Sequence, residues 1–202
     1  MPLILKTIMQ DLVTIDEFKQ YKKINSTEHD DRLDLIIKSV SAYIKSYCNR
    51  TFNDYVFETK TEYINGRDKE FIYLQEFPVL TLTSVHTSID GGVSYTELVL
   101  DTDVFINHDT GELLTADELP FVTLGTGHKS VKVVYTGGYN EIPQDLKLAC
   151  FDLVDYYRDN GYVPKKQVGP NTVENSGYKQ SSATNLPPHI KRVLDLHRVF
   201  SV

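Results

Sequence analysis

The densest set of side chains with chemical potential is Asp101, Asp103, His108 and Asp109, with Glu112 nearby. Carboxylates this close suit a hard cation such as Ca²⁺, which gathers oxygen ligands. Their order lacks the register of a known calcium loop, so the cluster reads as a solvated turn between strands. The six histidines (His29, His86, His108, His128, His189 and His197) are scattered, without metal-ligand spacing. No metal site is expected.

Other constellations are equally sparse. The chain has no P-loop, GxGxxG, HExxH, CxxC or GxSxG pattern. Cys48 and Cys150 fall in helical patterns without a charged neighbour, which predicts two reduced, buried small hydrophobes. Gly125-Thr126-Gly127 and Gly137-Gly138 invite comparison with phosphate cradles. A cradle needs free amides at a helix N-terminus. After Gly138, however, Tyr139-Asn140-Glu141-Ile142-Pro143 sets an acid and a proline where those donors would be. A tight turn with positive φ is the expected use. No catalytic group and no cofactor is predicted.

The elements around these residues are more informative. Thr14-Ile15-Asp16-Glu17 is a capping box opening a short helix over about 14–23. A second helix, about 29–50, carries Leu33, Ile36, Ile37, Val40, Ile44 and Tyr47 at helical spacing. Its other side is read as Arg32, Asp34, Lys38, Ser41 and Lys45. Between 55 and 135, short runs of Val, Thr, Tyr, Phe and Ile broken by turn residues predict antiparallel strands. Asn65-Gly66-Arg67-Asp68, Asp90-Gly91-Gly92 and Asp109-Thr110-Gly111 are the hairpin-like signals. Pro143 opens a third helix, about 143–160, with Leu146, Ala149, Cys150, Leu153, Val154 and Tyr157 on one face and Gly161 as its stop.

Residues 163 to about 186 are rich in Pro, Gly, Asn, Ser, Gln and Lys and read as a flexible or partner-ordered linker. Pro187-Pro188 then introduces a short helix with Ile190, Val193, Leu194 and His197 on one face. A helix so short is marginal alone in water, so its stripe needs a surface, either this chain's core or a neighbour's. The fold class expected is α+β: a small helical bundle beside an antiparallel β region, forming one domain over 1–162. A C-terminal arm over 163–202 ends in the short helix.

Bulk properties exclude several classes. With 28 acidic against 21 basic residues the formal charge is −7, and no Lys or Arg run exceeds two. Tight nucleic-acid binding, which rests on phosphate neutralisation, is disfavoured; passive contact with DNA in a channel is not. No stretch approaches the length of a membrane span, and the N-terminus lacks a secretory signal. Thirteen tyrosines and no tryptophan suit half-buried rings at protein–protein contacts.

The order of the pieces resembles the bacteriophage head–tail connector (adaptor) family of the portal and neck region. Four phrases carry the resemblance. They are Tyr47-Cys48-Asn49-Arg50-Thr51-Phe52, Phe77-Pro78-Val79-Leu80-Thr81-Leu82-Thr83-Ser84-Val85, Asp109-Thr110-Gly111-Glu112-Leu113, and the segment from Val133 through Gly137-Gly138-Tyr139 to Lys147. With the helices around them, the resemblance covers about residues 12–160. Gly137 departs from the alanine more usual in the family, a change read as mild. The resemblance implies a non-enzymatic virion subunit, assembled in the host cytoplasm, that forms a ring of copies of itself, a dodecamer, below the portal protein. Such a ring extends the channel for genomic DNA, without specific binding, and meets a stopper or tail-completion protein. The long linker and terminal helix after Gly161, which many short members of that family lack or vary, are a second departure. They are read as an arm that docks on a neighbouring copy or a portal groove through Ile190, Val193, Leu194, His197 and Phe200. The alternatives are another virion assembly factor, such as a tail-completion or stopper protein, or a metal-dependent enzyme.

Overall fold

The computed structural model describes residues 10–66, 71–116, 128–158, 165–168, 171–174 and 186–199. The chain divides into two compact units, one of residues 1–10 and 51–141, the other of residues 11–50 and 142–202. Residues 163–202 thus fall within the second unit.

The first unit is built on two antiparallel sheets. Four strands, β1 (Lys60–Ile64), β7 (Val131–Gly137), β3 (Val79–Thr87) and β4 (Thr96–Leu98), lie side by side in that order. Three more, β2 (Phe71–Tyr73), β6 (Glu112–Thr115) and β5 (Val104–Asn107), form the second sheet. Alternate side chains of both sheets meet in one core of Ile72, Leu74, Val79, Val85, Leu98, Val104, Leu113, Val131, Val133 and Tyr135. The period of two that puts successive residues on opposite faces is clearest in β7, where every second residue is buried.

The Asp90 and Asp109 signals do join paired strands, β3 to β4 and β5 to β6. The Asn65-Gly66 signal does not: β1 pairs with β7 and β2 with β6, so the chain changes sheet there. A turn residue marks where a strand ends and says nothing of which strand comes to lie beside it. Residues 55–59, expected to begin the first strand, form turns and bends instead.

The second unit is helical. Helix α1 (Ile15–Lys22) starts at the capping box: Thr14 Oγ1 accepts from the Glu17 amide, and Glu17 Oε2 accepts from the Thr14 amide at 2.8 Å. Helix α2 (Asp30–Cys48) buries Leu33, Ile37, Val40, Ile44 and Cys48. Ser41 and Lys45, expected on its solvent side, are buried as well; Ser41 Oγ accepts the Leu12 amide at 3.1 Å. Helix α3 (Gln144–Arg158) buries Leu146, Ala149, Cys150, Leu153 and Val154, while Tyr157, expected with them, is nearly half exposed. Both thiols are buried, and burial pushes each up to about 12, a state in which neither is a nucleophile at neutral pH.

Two segments differ from the expected linker and arm. Strands β8 (Lys165–Val168) and β9 (Asn171–Glu174) pair antiparallel inside the stretch read as linker. Four-residue strands vanish in a composition averaged over a wider window. Helix α4 (Pro188–Leu196) lies against α2 and α3 of its own chain, burying Ile190 and Leu194. The Tyr47 hydroxyl donates to Asp195 at 2.6 Å and the Val199 amide to the Cys48 carbonyl at 2.9 Å. The predicted stop at Gly161 lies outside the described residues.

Acid should loosen the helical unit. Burial pushes the carboxyls of Glu17 and Asp145 up, but their partners more than offset it and both end below the usual carboxylate range. For Glu17 these are Lys147 Nζ at 2.7 Å and the Thr14 amide; for Asp145, His197 Nε2 at 2.8 Å and the Leu146 amide. A depressed folded pKa stabilises the fold above the unfolded value and loses that contribution as pH falls through the folded one. Urea midpoints should be flat above about pH 5 and fall below about pH 4. Lys147→Met should flatten the decline.

Candidate interaction surfaces

The second sheet is apolar on both faces. Ile72, Leu113 and Ile106 point to the core, and their neighbours point away from it. Register sets Phe71 opposite Leu114 and Leu114 opposite Phe105, so these three form one row across all three strands. They are 42%, 40% and 45% exposed. Tyr73, 53% exposed, sits beside Phe71 with ring centroids 5.4 Å apart and donates its hydroxyl to Glu112 at 3.3 Å. Contiguous apolar rows of this kind mark contact surfaces on soluble proteins.

The first sheet carries a different outer face. Tyr63, Lys132, His86 and Glu97 align across its four strands. At one end the loops at 65–66, 88–95 and 128–130 meet over Ser130, whose Oγ accepts the Gly66 amide at 2.7 Å and whose carbonyl accepts the Ser88 amide at 2.7 Å. Tyr95 lies above this junction, its hydroxyl donating to the Lys129 carbonyl at 3.0 Å. Lys129 Nζ stands 5.5 Å from the Tyr63 ring centroid and Lys132 Nζ 5.7 Å from that of Tyr95. Gly92, with φ of 88°, is needed here: a Cβ would come within 2.9 Å of the Tyr95 hydroxyl. Asp90 accepts from the amides of Val93 and Ser94 and from the hydroxyls of Ser88 and Ser94, which holds its carboxyl far below the usual range.

The residues first considered for chemistry do not assemble into a centre. Asp103 caps the Val99 amide at 2.8 Å, and His108 Nδ1 lies 2.7 Å from the Val79 carbonyl. Asp101, Asp109 and Glu112 belong to turn and strand, and no group of three potential metal ligands occurs among the described residues. Gly125-Thr126-Gly127 lies outside them. The helical unit has an open groove of about 360 Å³ lined by Ile24, Leu33 and Ile36 with His29, Arg32 and Arg158. None of these groups converges on a reacting atom.

Of the five residues expected to dock on a partner, Ile190 and Leu194 are in this chain's own core, Val193 is half-buried and His197 is bound to Asp145. Phe200 lies outside the described residues. A nine-residue helix gains more from the nearest apolar wall than from waiting for a neighbour, and that wall is α2 and α3. The rows on the two sheets were not anticipated. Their signal was present: Phe71-Ile72-Tyr73-Leu74 and Val104-Phe105-Ile106 lack the alternation of a strand with one wet face.

The family model described as head completion protein matches residues 11–200. The chain belongs to the head completion protein family. It is a structural protein of the phage virion, not an enzyme, as the resemblance to the connector proteins implied. The head completion protein of Escherichia phage T5 is 24% identical over 188 residues, which cover 93% of this chain and 98% of that one. In fold, the chain is similar to a protein in the neck of an empty gene transfer agent (GTA) particle computed with C6 symmetry. That match has a TM-score of 0.54 at 15% identity and covers 95% of this chain and 91% of the other. A chain in the virion of the native gene transfer agent gives 0.56 at 14% identity, with the same coverage. One in the neck of the native particle, computed with C12 symmetry, gives 0.53 at 16% identity and covers 96% of each chain. Among the described residues, no helix is long and apolar enough to cross a membrane.

Proposed function

We propose that this head completion protein forms a ring in the virion neck, beneath the portal, that extends the DNA channel and receives the next tail-side component. The observation that carries the reading is the row Phe71–Leu114–Phe105, apolar and open on a sheet whose other face already fills the core. Copies of the chain are its occupant: the neck proteins of similar fold come from particles computed with C6 and C12 symmetry. Repeating one interface around a closed ring would cover the row in every copy.

Phe71→Ser with Phe105→Ser tests this. Both rings are nearly half exposed, so the variant should fold with a stability change within about 1 kcal/mol. Its association with itself and with heads assembled without the chain should weaken by about 2 kcal/mol or more, some thirtyfold. Undiminished binding to heads would remove the basis for the reading.

A further inference from the structure

We propose that the tyrosine-supported lysine cluster on the outer face of the four-stranded sheet contacts the phosphate backbone of double-stranded DNA. The proposal rests on the ring reading above and deepens it, by naming which face of the subunit turns toward the DNA path.

Charge distribution is the first observation. The chain carries a formal charge of −7, and most of the lysines with described partners are held by carboxylates. Lys19 pairs with Asp30, Lys22 with Asp155, Lys38 with Asp34, Lys60 with Glu76, Lys147 with Glu17 and Lys191 with Asp195. Lys129 and Lys132 have no carboxylate within ion-pair distance among the described residues. They neighbour each other at the same end of one sheet, so their fields add where little opposes them. Asp90, the nearest acid in the adjoining loop, has its oxygens turned inward onto the amides and hydroxyls of its own loop. Among the described residues, Glu97, opposite His86 at the far edge of the row, is the acid that remains on this face.

The second observation is that the two cations are positioned. Each ammonium stands over a tyrosine ring, and the two rings lie 6.4 Å apart. A cation over a ring face keeps its charge, keeps hydrogen-bond donors free, and loses less side-chain freedom when it meets an anion. The backbone is fixed too, because Asn65 Oδ1 accepts the Lys129 amide at 2.8 Å and Tyr95 holds the Lys129 carbonyl. Lysine ammoniums with interleaved aromatic rings are the chemistry of a polyanion contact that reads no sequence. Two contacts per subunit are weak singly and sum around a ring, which suits a surface that DNA must pass rather than stay on.

The experiment measures binding of the full chain to a fluorescent mixed-sequence DNA duplex at low ionic strength. Lys129→Glu with Lys132→Glu is compared with the charge-matched control Lys38→Glu with Lys191→Glu. The cluster variant should bind at least about tenfold more weakly, with the salt dependence reduced by about two counterions; the control should change far less. Equal losses in both variants would overturn the proposal, because net charge alone would then explain them. In assembled particles, a photoreactive residue at Glu97 should cross-link to DNA; cross-links to protein alone would overturn it as well. Particles that incorporate the chain without that cross-link would leave the ring reading standing. Particles that never incorporate it would sink the ring reading instead.

Discussion

Gly138→Ala should cost about 4 kcal/mol or more, the largest effect of any single methyl group in the β unit. Gly138 follows β7 with φ of 116°, a conformation open only to glycine, and a Cβ there would sit 2.2 Å from the Phe52 carbonyl oxygen. The strand end is held against that carbonyl from both sides. The Gly138 amide donates to Pro78 at 2.9 Å, the Tyr139 amide to Phe52 at 2.6 Å, and the Gly137 amide to Tyr55 at 3.0 Å. A side chain must therefore break the clasp or force the backbone out of it. Gly91→Ala is the control: its φ is 74°, but nothing lies within 4 Å of the added carbon. It should cost only the left-handed penalty, about 1 kcal/mol. Urea denaturation of both variants separates backbone strain from close approach, and similar midpoints would refute the clasp. Gly137 shares the constraint without a positive φ, since its Cβ would meet the Glu76 carbonyl at 2.8 Å. Alanine there, read from sequence as mild, requires the Glu76 backbone to move.

Glu76→Ala should destabilise by about 3–5 kcal/mol, the range for removing one partner of a buried ionic group. The carboxylate has no solvent exposure and accepts from the amides of Thr51 at 2.8 Å and Phe52 at 3.2 Å, with Lys60 Nζ at 3.4 Å. Its own amide donates to the Tyr135 hydroxyl, which in turn donates to Glu62 at 2.6 Å. Burial, with the nearby Glu62 charge, drives the Tyr135 phenol far above its ordinary value, so it remains a donor at every working pH. Deleting the carboxylate strands two amides, while the Lys60 ammonium keeps Gln75 Oε1 at 2.7 Å. Lys60→Met should cost less, because Glu76 keeps both amides. Thermal melts that reverse this order would show that the ion pair, rather than the amide clasp, holds the site.

The first prediction falls on a phrase that carried the family resemblance. The second falls on the residue just before another, whose carboxylate accepts the amides of Thr51 and Phe52. Thr51-Phe52, Phe77-Pro78 and Gly137-Gly138-Tyr139 meet at this one junction of the β unit. Those phrases were legible because tight backbone approach admits few residue types, so their identity reports a structural requirement. The capping box at Thr14 and the core stripe of α2 were legible for a related reason, since both are local and periodic. Strand pairing was not: β1 beside β7 brings together residues some seventy positions apart, and no local pattern encodes it. The placement of α4 was left open because an amphipathic helix states that it needs a wall and not whose wall it is. The lysine platform was invisible since Tyr63, Tyr95 and the Lys129–Lys132 stretch come from three separate segments that only the sheet unites.

If the chain closes into a ring at the virion neck, as we propose, the row of Phe71, Leu114 and Phe105 is its seam. A reconstruction of the neck of particles carrying the chain tests it most directly. The expected result is a closed ring around the DNA path next to the portal, with that row covered by the neighbouring copy. Neck density in which the chain is missing, or present with the row bare to solvent, would contradict it.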